Sequence, residues 1–218
     1  GNGATLNTFV GSLAGGTNTT GNNNTAVGHS SLFTNSTGVN NTAIGSQALF
    51  SNTQGGSNFA AGFLAMYTNS TGSSNVAIGN QTLFLNSGGS SNTAVGAEAA
   101  SFSMSGANNT ALGFRAMQTA TTASFATAVG SNSLINTLNG GNTALGYAAG
   151  AGFANGTNST FIGYNSDASA AGYSNSTCLG YNSRVTASNQ VRLGNSSVSS
   201  IGGRSPSAHP FTPPKSRI

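Results

Sequence analysis

Apolar and polar positions recur along this chain with a regular period. The phrase Asn-Thr-Ala-(Val/Ile)-Gly occupies residues 24–28 and again residues 41–45, seventeen positions later. The closing glycine keeps this spacing through twelve copies, except that the intervals from Gly130 to Gly146 and from Gly180 to Gly194 are shorter. These glycines are Gly11, Gly28, Gly45, Gly62, Gly79, Gly96, Gly113, Gly130, Gly146, Gly163, Gly180 and Gly194. Such a period is typical of repeat architectures.

Three columns of equivalent positions in the repeat are apolar. The position before the glycine is always apolar, the position two before it is mostly alanine, and the position four after it is mostly Leu or Met. A short apolar run closed by glycine indicates a strand and a turn, and one repeat is too short to hold an added helix. The pattern predicts an all-β fold over residues 1–202, a parallel β-roll or β-solenoid of about twelve 17-residue coils. Residues 203–218 are predicted to form an extended, Pro-rich basic tail.

Side chains alternate between the two faces of a strand, so either the alanines or their neighbours must point inward. We expect the threonine and aliphatic positions to form the core with the Leu positions. This aliphatic column comprises Val27, Ile44, Ile78, Val95, Leu112, Val129, Leu145, Ile162 and Leu179. The alanine column would then pack against other chains of a homotrimer, because one coil encloses little core by itself. It comprises Ala26, Ala43, Ala60, Ala77, Ala94, Ala111, Ala128 and Ala144. The opposite assignment, alanine inside and threonine outside, is the alternative.

Charge is scarce in this chain. Only 4% of the 218 residues are charged and the formal net charge is +4. No apolar run approaches the roughly 20 residues of a membrane helix, so no membrane insertion by this chain is expected. Five of the six basic residues follow position 183, but no groove-reading or base-stacking element accompanies them, and no nucleic-acid partner is predicted.

The two acidic residues, Glu98 and Asp167, each have an arginine at the equivalent position one repeat later, Arg115 and Arg184. One repeat apart in a parallel stack, these side chains should stand about 5 Å from each other. We therefore predict two structural ion pairs, each stabilising an exposed site by less than about 1 kcal/mol. Because both acids are matched to arginines, the chain is predicted to have no catalytic residues and not to be an enzyme.

The remaining reactive residues give no sign of a metal or cofactor site. His29 and His209 lack partners in their columns, so both are predicted to be solvated and no metal or cofactor is expected. The single Cys178 replaces an alanine of the alanine column and is predicted to be a packing residue that could meet its copies at a trimer axis. Asparagine recurs four residues before the glycine, where it predicts a corner residue that bonds to the next coil.

The phrases "NTAVG", "NTAIG", "NVAIG" and "NTALG", followed by "xx(A/S)L", resemble the head repeats of trimeric autotransporter adhesins. The resemblance covers residues 7–194 and implies a left-handed parallel β-roll, three of which pack side by side. The repeats here are longer than those of the adhesin heads, which implies a longer loop on each coil. The last copies, "NSTCLGYNSRVTASNQVRLGNSSVSSIGG", also resemble bacteriophage tail-fibre shafts.

Together these features predict a non-enzymatic, extracellular structural or adhesive fibre protein. The chain would be one subunit of a trimeric rod or end-to-end filament at a cell surface, with a receptor, matrix or glycan as its further partner. One alternative is the shaft of a phage tail fibre, located in a virion. The other is an ice-binding β-solenoid that presents its threonine column to ordered water.

Overall fold

Twelve three-residue strands stack in one parallel sheet along the length of the chain. The computed structural model describes residues 6–201, which form about eleven turns of about 17 residues and contain no helix. At about 4.8 Å per turn, the stack is roughly 50 Å long. The strands of this sheet are β1 (Thr8–Val10), β2 (Thr25–Val27), β3 (Thr42–Ile44), β4 (Phe59–Ala61), β5 (Val76–Ile78), β6 (Thr93–Val95), β7 (Thr110–Leu112), β8 (Thr127–Val129), β9 (Thr143–Leu145), β10 (Thr160–Ile162), β12 (Thr177–Leu179) and β14 (Val191–Leu193).

The pairing register follows the sequence repeat. Thr25 pairs with Thr42, its equivalent one full repeat on, and the same offset holds along most of the sheet. The offset is shorter where Thr127 pairs with Thr143 and where Thr177 pairs with Val191. A second sheet of two strands, β11 (Asp167–Ala168) and β13 (Arg184–Val185), forms only in the last coils. The predicted all-β parallel solenoid is confirmed, whereas the predicted tail lies outside the described residues.

The alanine column, not the aliphatic column, lines the interior of the coil. Every alanine from Ala26 to Ala144 in this column is at most 1% exposed, whereas Ile44 is 44% and Leu112 is 46% exposed. The predicted assignment of the two faces was therefore wrong, and the alternative is correct. The alanines face the buried residues of the opposite wall: Leu32, Leu49, Met66, Leu83, Ala100, Met117 and Leu134. We call this set the leucine column.

The reversal has a steric cause. A coil this short leaves a thin interior between its two walls, and protein interiors are packed to near-crystalline density. Leucine or methionine on one wall fills that gap only if the other wall carries a small residue, since an added methylene in a filled core is destabilising. Alternation along each strand then places threonine and the aliphatic residue outside.

The leucine column lies in a segment where left-handed backbone alternates with other conformations. Gln47 and Leu49 have φ values of 57° and 51°, and equivalent residues of other coils adopt similar values. The Gln47 N–H donates to His29 O of the preceding coil at 2.9 Å, and the Leu49 N–H donates to Ala65 O of the following coil at 2.9 Å. Hydrogen bonds between coils thus offset the cost of about 1–2 kcal/mol for each left-handed residue.

The repeated glycine is required by close approach between coils. Gly79 has φ +134°, and a Cβ atom on it would lie 2.6 Å from Gly96 O and 2.7 Å from Gly96 C. Those contacts are with backbone, which cannot rotate away. Most other glycines of this column meet the backbone of the next coil in the same way. The column that revealed the repeat is therefore a line along which successive coils lie too close together for a side chain.

Two ladders of buried asparagines run along the rod. In the first ladder each Oδ1 accepts a hydrogen bond from the backbone N–H of the equivalent asparagine one coil on, at 2.9–3.0 Å. Its members are Asn24, Asn41, Asn58, Asn75, Asn92 and Asn109. The predicted bond to the next coil is thus confirmed. In the second ladder each Nδ2 donates to the Oδ1 of the preceding member at 2.7 Å. Its members are Asn18, Asn35, Asn52, Asn69 and Asn86.

Candidate interaction surface

The outer face of the twelve-stranded sheet carries a continuous strip of apolar side chains. The strip is the aliphatic column, in which Val27, Ile78 and Leu145 are 37%, 40% and 49% exposed. It extends at both ends through Val10 and Leu193. None of the outward strand positions in this sheet carries a charge. Large exposed apolar patches usually mark sites of interaction with another molecule.

A threonine column lies parallel to the aliphatic column on the same face. Its members are Thr8, Thr25, Thr42, Thr93, Thr110, Thr127, Thr143, Thr160 and Thr177. All of them are partly or fully exposed, and Phe59, Val76 and Val191 replace threonine at the three other positions. The two columns stand two residues apart along each strand, or about 6.6 Å. The face is therefore a regular array of methyl groups and hydroxyls, and its only aromatic side chain at the outward strand positions is Phe59.

Stacked aromatic rings run along two other lines of the rod. Phe33, Phe50, Tyr67 and Phe84 stack with centroid distances of 5.0–5.4 Å. Tyr147, Tyr164 and Tyr181, each directly after the repeated glycine, stack at 5.1 and 5.7 Å and are 48–61% exposed. Because the faces of the rings contact each other within a stack, mainly ring edges remain for solvent. The stacks therefore add apolar surface to the rod but little flat ring face.

The predicted ion pair between Glu98 and Arg115 is present. Arg115 Nε donates to Glu98 Oε2 at 2.8 Å, and Gln118 Nε2 donates to the same oxygen at 2.7 Å. The Arg115 guanidinium also lies 4.7 Å from the centre of the Phe114 ring. All of these groups sit on the surface, where an ion pair contributes little to stability.

Asp167 and Arg184 pair in register but do not form the predicted ion pair. They are backbone partners in the two-stranded sheet, yet within residues 6–201 the only carboxylate within salt-bridge distance of an arginine is Glu98. The Asp167 carboxylate points inward, is 4% exposed, and accepts hydrogen bonds from the N–H groups of Gly152 (2.9 Å) and Ala168 (2.8 Å). Burial raises the pKa of Asp167, and these two hydrogen bonds and nearby Arg184 oppose the rise.

Cys178 lies inside its own coil. It is fully buried, its Sγ is 3.0 Å from Asp167 O, and the Val185 N–H donates to Sγ at 3.2 Å. Burial raises the pKa of the thiol, which disfavours the reactive thiolate. Its predicted role in packing is in keeping with this position. The predicted approach to copies of Cys178 at a trimer axis is wrong, because Cys178, like the alanine column, points into its own coil.

Side chains of the types that bind metals do not cluster within residues 6–201, where no group of three or more His, Cys, Asp or Glu residues occurs. His29 is exposed, as predicted, and His209 lies outside the described residues. In the same part of the chain, no helix has the length and apolar character needed to cross a bilayer. Asn35 and Asn69, which begin Asn-x-Ser/Thr sequons, are completely buried in the second asparagine ladder, so their amides are engaged in structure.

The chain was also compared with protein-family models, with curated proteins and with solved structures, and no comparison gives a match. The fold and the outer sheet face therefore carry the functional argument.

Proposed function

We propose that this protein is a non-enzymatic, extracellular structural or adhesive fibre protein whose chains associate as a homotrimer of β-solenoids. The observation that carries this proposal is the exposed aliphatic column along the outer sheet face. The resemblance of the repeats to trimeric autotransporter adhesin heads supports the trimeric arrangement. The contact between chains lies on the aliphatic column in this proposal, since the alanine column is occupied inside each coil.

A second copy of this chain is the partner that the face fits best. The outward methyl groups repeat at the spacing of the coils, about 4.8 Å, over the whole described rod. Another copy has the same period, so its side chains can interdigitate with this array along its full length. The face has no charge that must be neutralised or desolvated on contact. Each of these aliphatic side chains is already about half buried, so its remaining burial contributes about half of the roughly 1.5–3 kcal/mol that full burial provides.

Sedimentation equilibrium of the full chain tests the association. We expect a species of three times the 21.4 kDa chain mass. Ile44→Asn with Leu112→Asn should give a folded monomer, because both side chains point away from the core of the coil. The matched control is Leu138→Asn, which alters an exposed leucine outside the sheet and should leave the trimer intact. A wild-type monomer or dimer would contradict the proposal.

Attachment is the second part of the proposal. Beads coated with the wild-type chain should adhere to cultured cells or extracellular matrix more strongly than beads coated with the Ile44→Asn, Leu112→Asn variant, because three linked copies bind with greater avidity. Beads that carry Leu138→Asn should behave as wild type. If the wild-type beads do not attach, the adhesive role is refuted and only the structural role remains.

Ice binding is a second candidate function, favoured by one observation. The threonine column faces outward with the aliphatic column beside it, so both columns are accessible to water, contrary to the predicted core position. The two candidates require the same face, so they exclude each other. A monomeric wild-type chain with thermal hysteresis would support ice binding, and a trimer without hysteresis would support the fibre. Replacement of Thr93, Thr110 and Thr127 by tyrosine should abolish hysteresis if the threonines order water.

A further inference from the structure

We propose that the C-terminal end of the described rod binds a compact anion, a carboxylate or sulfate group, in a cleft between Arg184 and Arg192. This inference does not depend on the proposed fibre function. The cleft is open to solvent and has a volume of about 450 Å³, which is enough for a group the size of one sugar residue. It is lined by Asn165, Asn182, Arg184, Arg192, Asn195, Ser196 and Ser197.

Both arginines of the cleft lack a carboxylate partner among residues 6–201. The whole chain has only two acidic side chains. Glu98 is held by Arg115 in another coil. Asp167 is buried, and the backbone N–H groups of Gly152 and Ala168 bind its carboxylate. The cleft therefore carries two positive charges, and the nearer of the two acidic side chains is Asp167, the strand partner of Arg184 in the preceding coil.

Arg192 occupies the alanine column of the last described strand. No later strand among residues 6–201 pairs with it, and it is only partly buried. Its Nε donates to Gly194 O at a long 3.4 Å. The terminal nitrogens of this guanidinium make no hydrogen bond to other described residues. Arg184 is exposed one coil earlier, so the two guanidinium groups approach the same cleft from successive coils.

The asparagines add neutral hydrogen-bond donors. Asn165 Nδ2 donates to Asn182 Oδ1 at 2.8 Å, which orients the Asn182 amide. The Nδ2 of Asn182 has no acceptor in the part of the chain that the structure describes. Two guanidinium groups beside a free amide donor suit an oxyanion, because arginine binds carboxylate and sulfate through paired N–H groups. A cation would meet two like charges and is excluded on that ground.

Titration of the full chain followed by NMR of the arginine Nε–H groups tests the site. Sodium sulfate and sodium glucuronate are added separately at constant ionic strength, because simple screening also weakens such contacts. We expect saturable shifts of the Arg184 and Arg192 signals and no shift of Arg115. Binding of sulfate but not glucuronate would identify a free oxyanion as the ligand. Binding of glucuronate as tightly as sulfate, or more tightly, would identify an acidic saccharide. Both results support the site.

Substitutions separate this site from general charge. Arg184→Gln should weaken binding about tenfold or more, because a charge-assisted, paired hydrogen bond is lost. Arg184→Lys keeps the charge without the planar fork and should give an intermediate loss. Arg115→Gln is the matched control and should bind as wild type. Arg184 is exposed, so its variants should remain folded. No saturable shift with either anion, or equal losses for Arg115→Gln and Arg184→Gln, would overturn the proposal.

Discussion

The coils from β2 to β8 and the coils of β9 and β10 fill the same thin interior in opposite ways. In the first region a buried alanine on the sheet faces a leucine or methionine on the other wall, except in the coil of β6, where it faces Ala100. In the second region Phe161 takes the alanine position, and Gly150 stands where the leucine column would continue. A Cβ atom on Gly150 would lie 2.8 Å from the Leu134 side chain and 3.0 Å from the Phe161 ring.

The same exchange occurs at the other end of the rod. Phe9 replaces alanine in β1, and Gly15 replaces leucine, where a Cβ atom would collide with the Phe9 ring. In both places the bulky side chain is therefore supplied by the sheet wall, and a glycine stands in the leucine column. The lesson is that residue identity in one column has to be interpreted together with the column that faces it.

The polar ladders differ between the two regions as well. The second asparagine ladder ends at Asn86, because Ser103 holds the next position and has no amide. The buried Oδ1 of Asn86 consequently has no hydrogen-bond donor among the described residues. Farther along, Ser159 and Ser176 replace the asparagines of the first ladder. Both amide ladders thus run together only as far as the coil of β5, and the C-terminal coils carry serine at two positions of the first ladder.

The largest expected effect concerns the repeated glycine. Gly79→Ala should lower the free energy of unfolding by more than about 4 kcal/mol, because its Cβ would collide with Gly96 backbone at a strongly positive φ. Gly180→Ala in the C-terminal coils should cost only about 1–3 kcal/mol, since its nearest contact would be 3.4 Å and only the φ strain remains. Urea denaturation measures both, and equal losses would contradict the difference in coil spacing.

The exchange of volume between walls can be tested by a double-mutant cycle. Phe161→Ala should destabilise by about 3–5 kcal/mol through the cavity it leaves. Gly150→Leu alone should destabilise by overpacking, by about 1–3 kcal/mol. The double variant recreates the alanine and leucine arrangement of the regular coils, so it should be more stable than Phe161→Ala, with a coupling of at least about 1 kcal/mol. Simple addition of the two losses would show that the walls do not compensate.

The asparagine ladder should respond in opposite directions at its middle and its end. Asn52→Ala removes bonds to Asn35, Asn69 and Gly55 and should cost about 2–3 kcal/mol, because it leaves buried groups unpaired. Ser103→Asn supplies a donor for Asn86 Oδ1 and should stabilise by about 1 kcal/mol. Thermal unfolding followed by circular dichroism compares them. A destabilised Ser103→Asn would mean that the ladder cannot be extended into this coil.

The buried carboxylate of the C-terminal coils predicts an unusual pH dependence. Burial raises the pKa of Asp167, so the folded chain binds this proton more tightly than the unfolded chain does. The free energy of unfolding should therefore be highest below the ordinary pKa of aspartate and should decrease as the pH rises through the raised pKa. Asp167→Asn should flatten this profile, whereas Glu98→Gln should leave it in place. A wild-type stability that increases with pH over this range would refute the assignment.

The surface ion pair should have the smallest effect. Exchange of Glu98 and Arg115 preserves the pair and should leave the unfolding midpoint nearly unchanged, whereas Glu98→Lys places like charges together and should cost about 1 kcal/mol or less. The cost should decrease in high salt, because the groups are partly exposed. Equal midpoints for the exchange and for Glu98→Lys would show that the observed pair contributes nothing.

The coil period and the parallel pairing could be predicted from the sequence, because both depend only on register. The Glu98–Arg115 contact could also be predicted, because register aligns the two residues and both side chains lie at the surface. The inward face could not, because threonine–alanine–valine alternates equally well either way. The facing pairs Phe9–Gly15 and Phe161–Gly150 held the missing signal: glycine opposite phenylalanine indicates that both side chains compete for one interior. The predicted ion pair between Asp167 and Arg184 is absent, because register brings the two backbones together without fixing where the carboxylate points.

The orientation of the strand faces is the central claim of this account, and two neighbouring residues test it most directly. Ala111 is 1% exposed and Leu112 is 46% exposed in the same strand. The thermal unfolding midpoints of Ala111→Asn and Leu112→Asn should differ sharply: the first variant should lose the fold, because asparagine neither fits nor finds partners inside the coil, and the second should stay folded. A folded Ala111→Asn beside an unfolded Leu112→Asn would contradict the account.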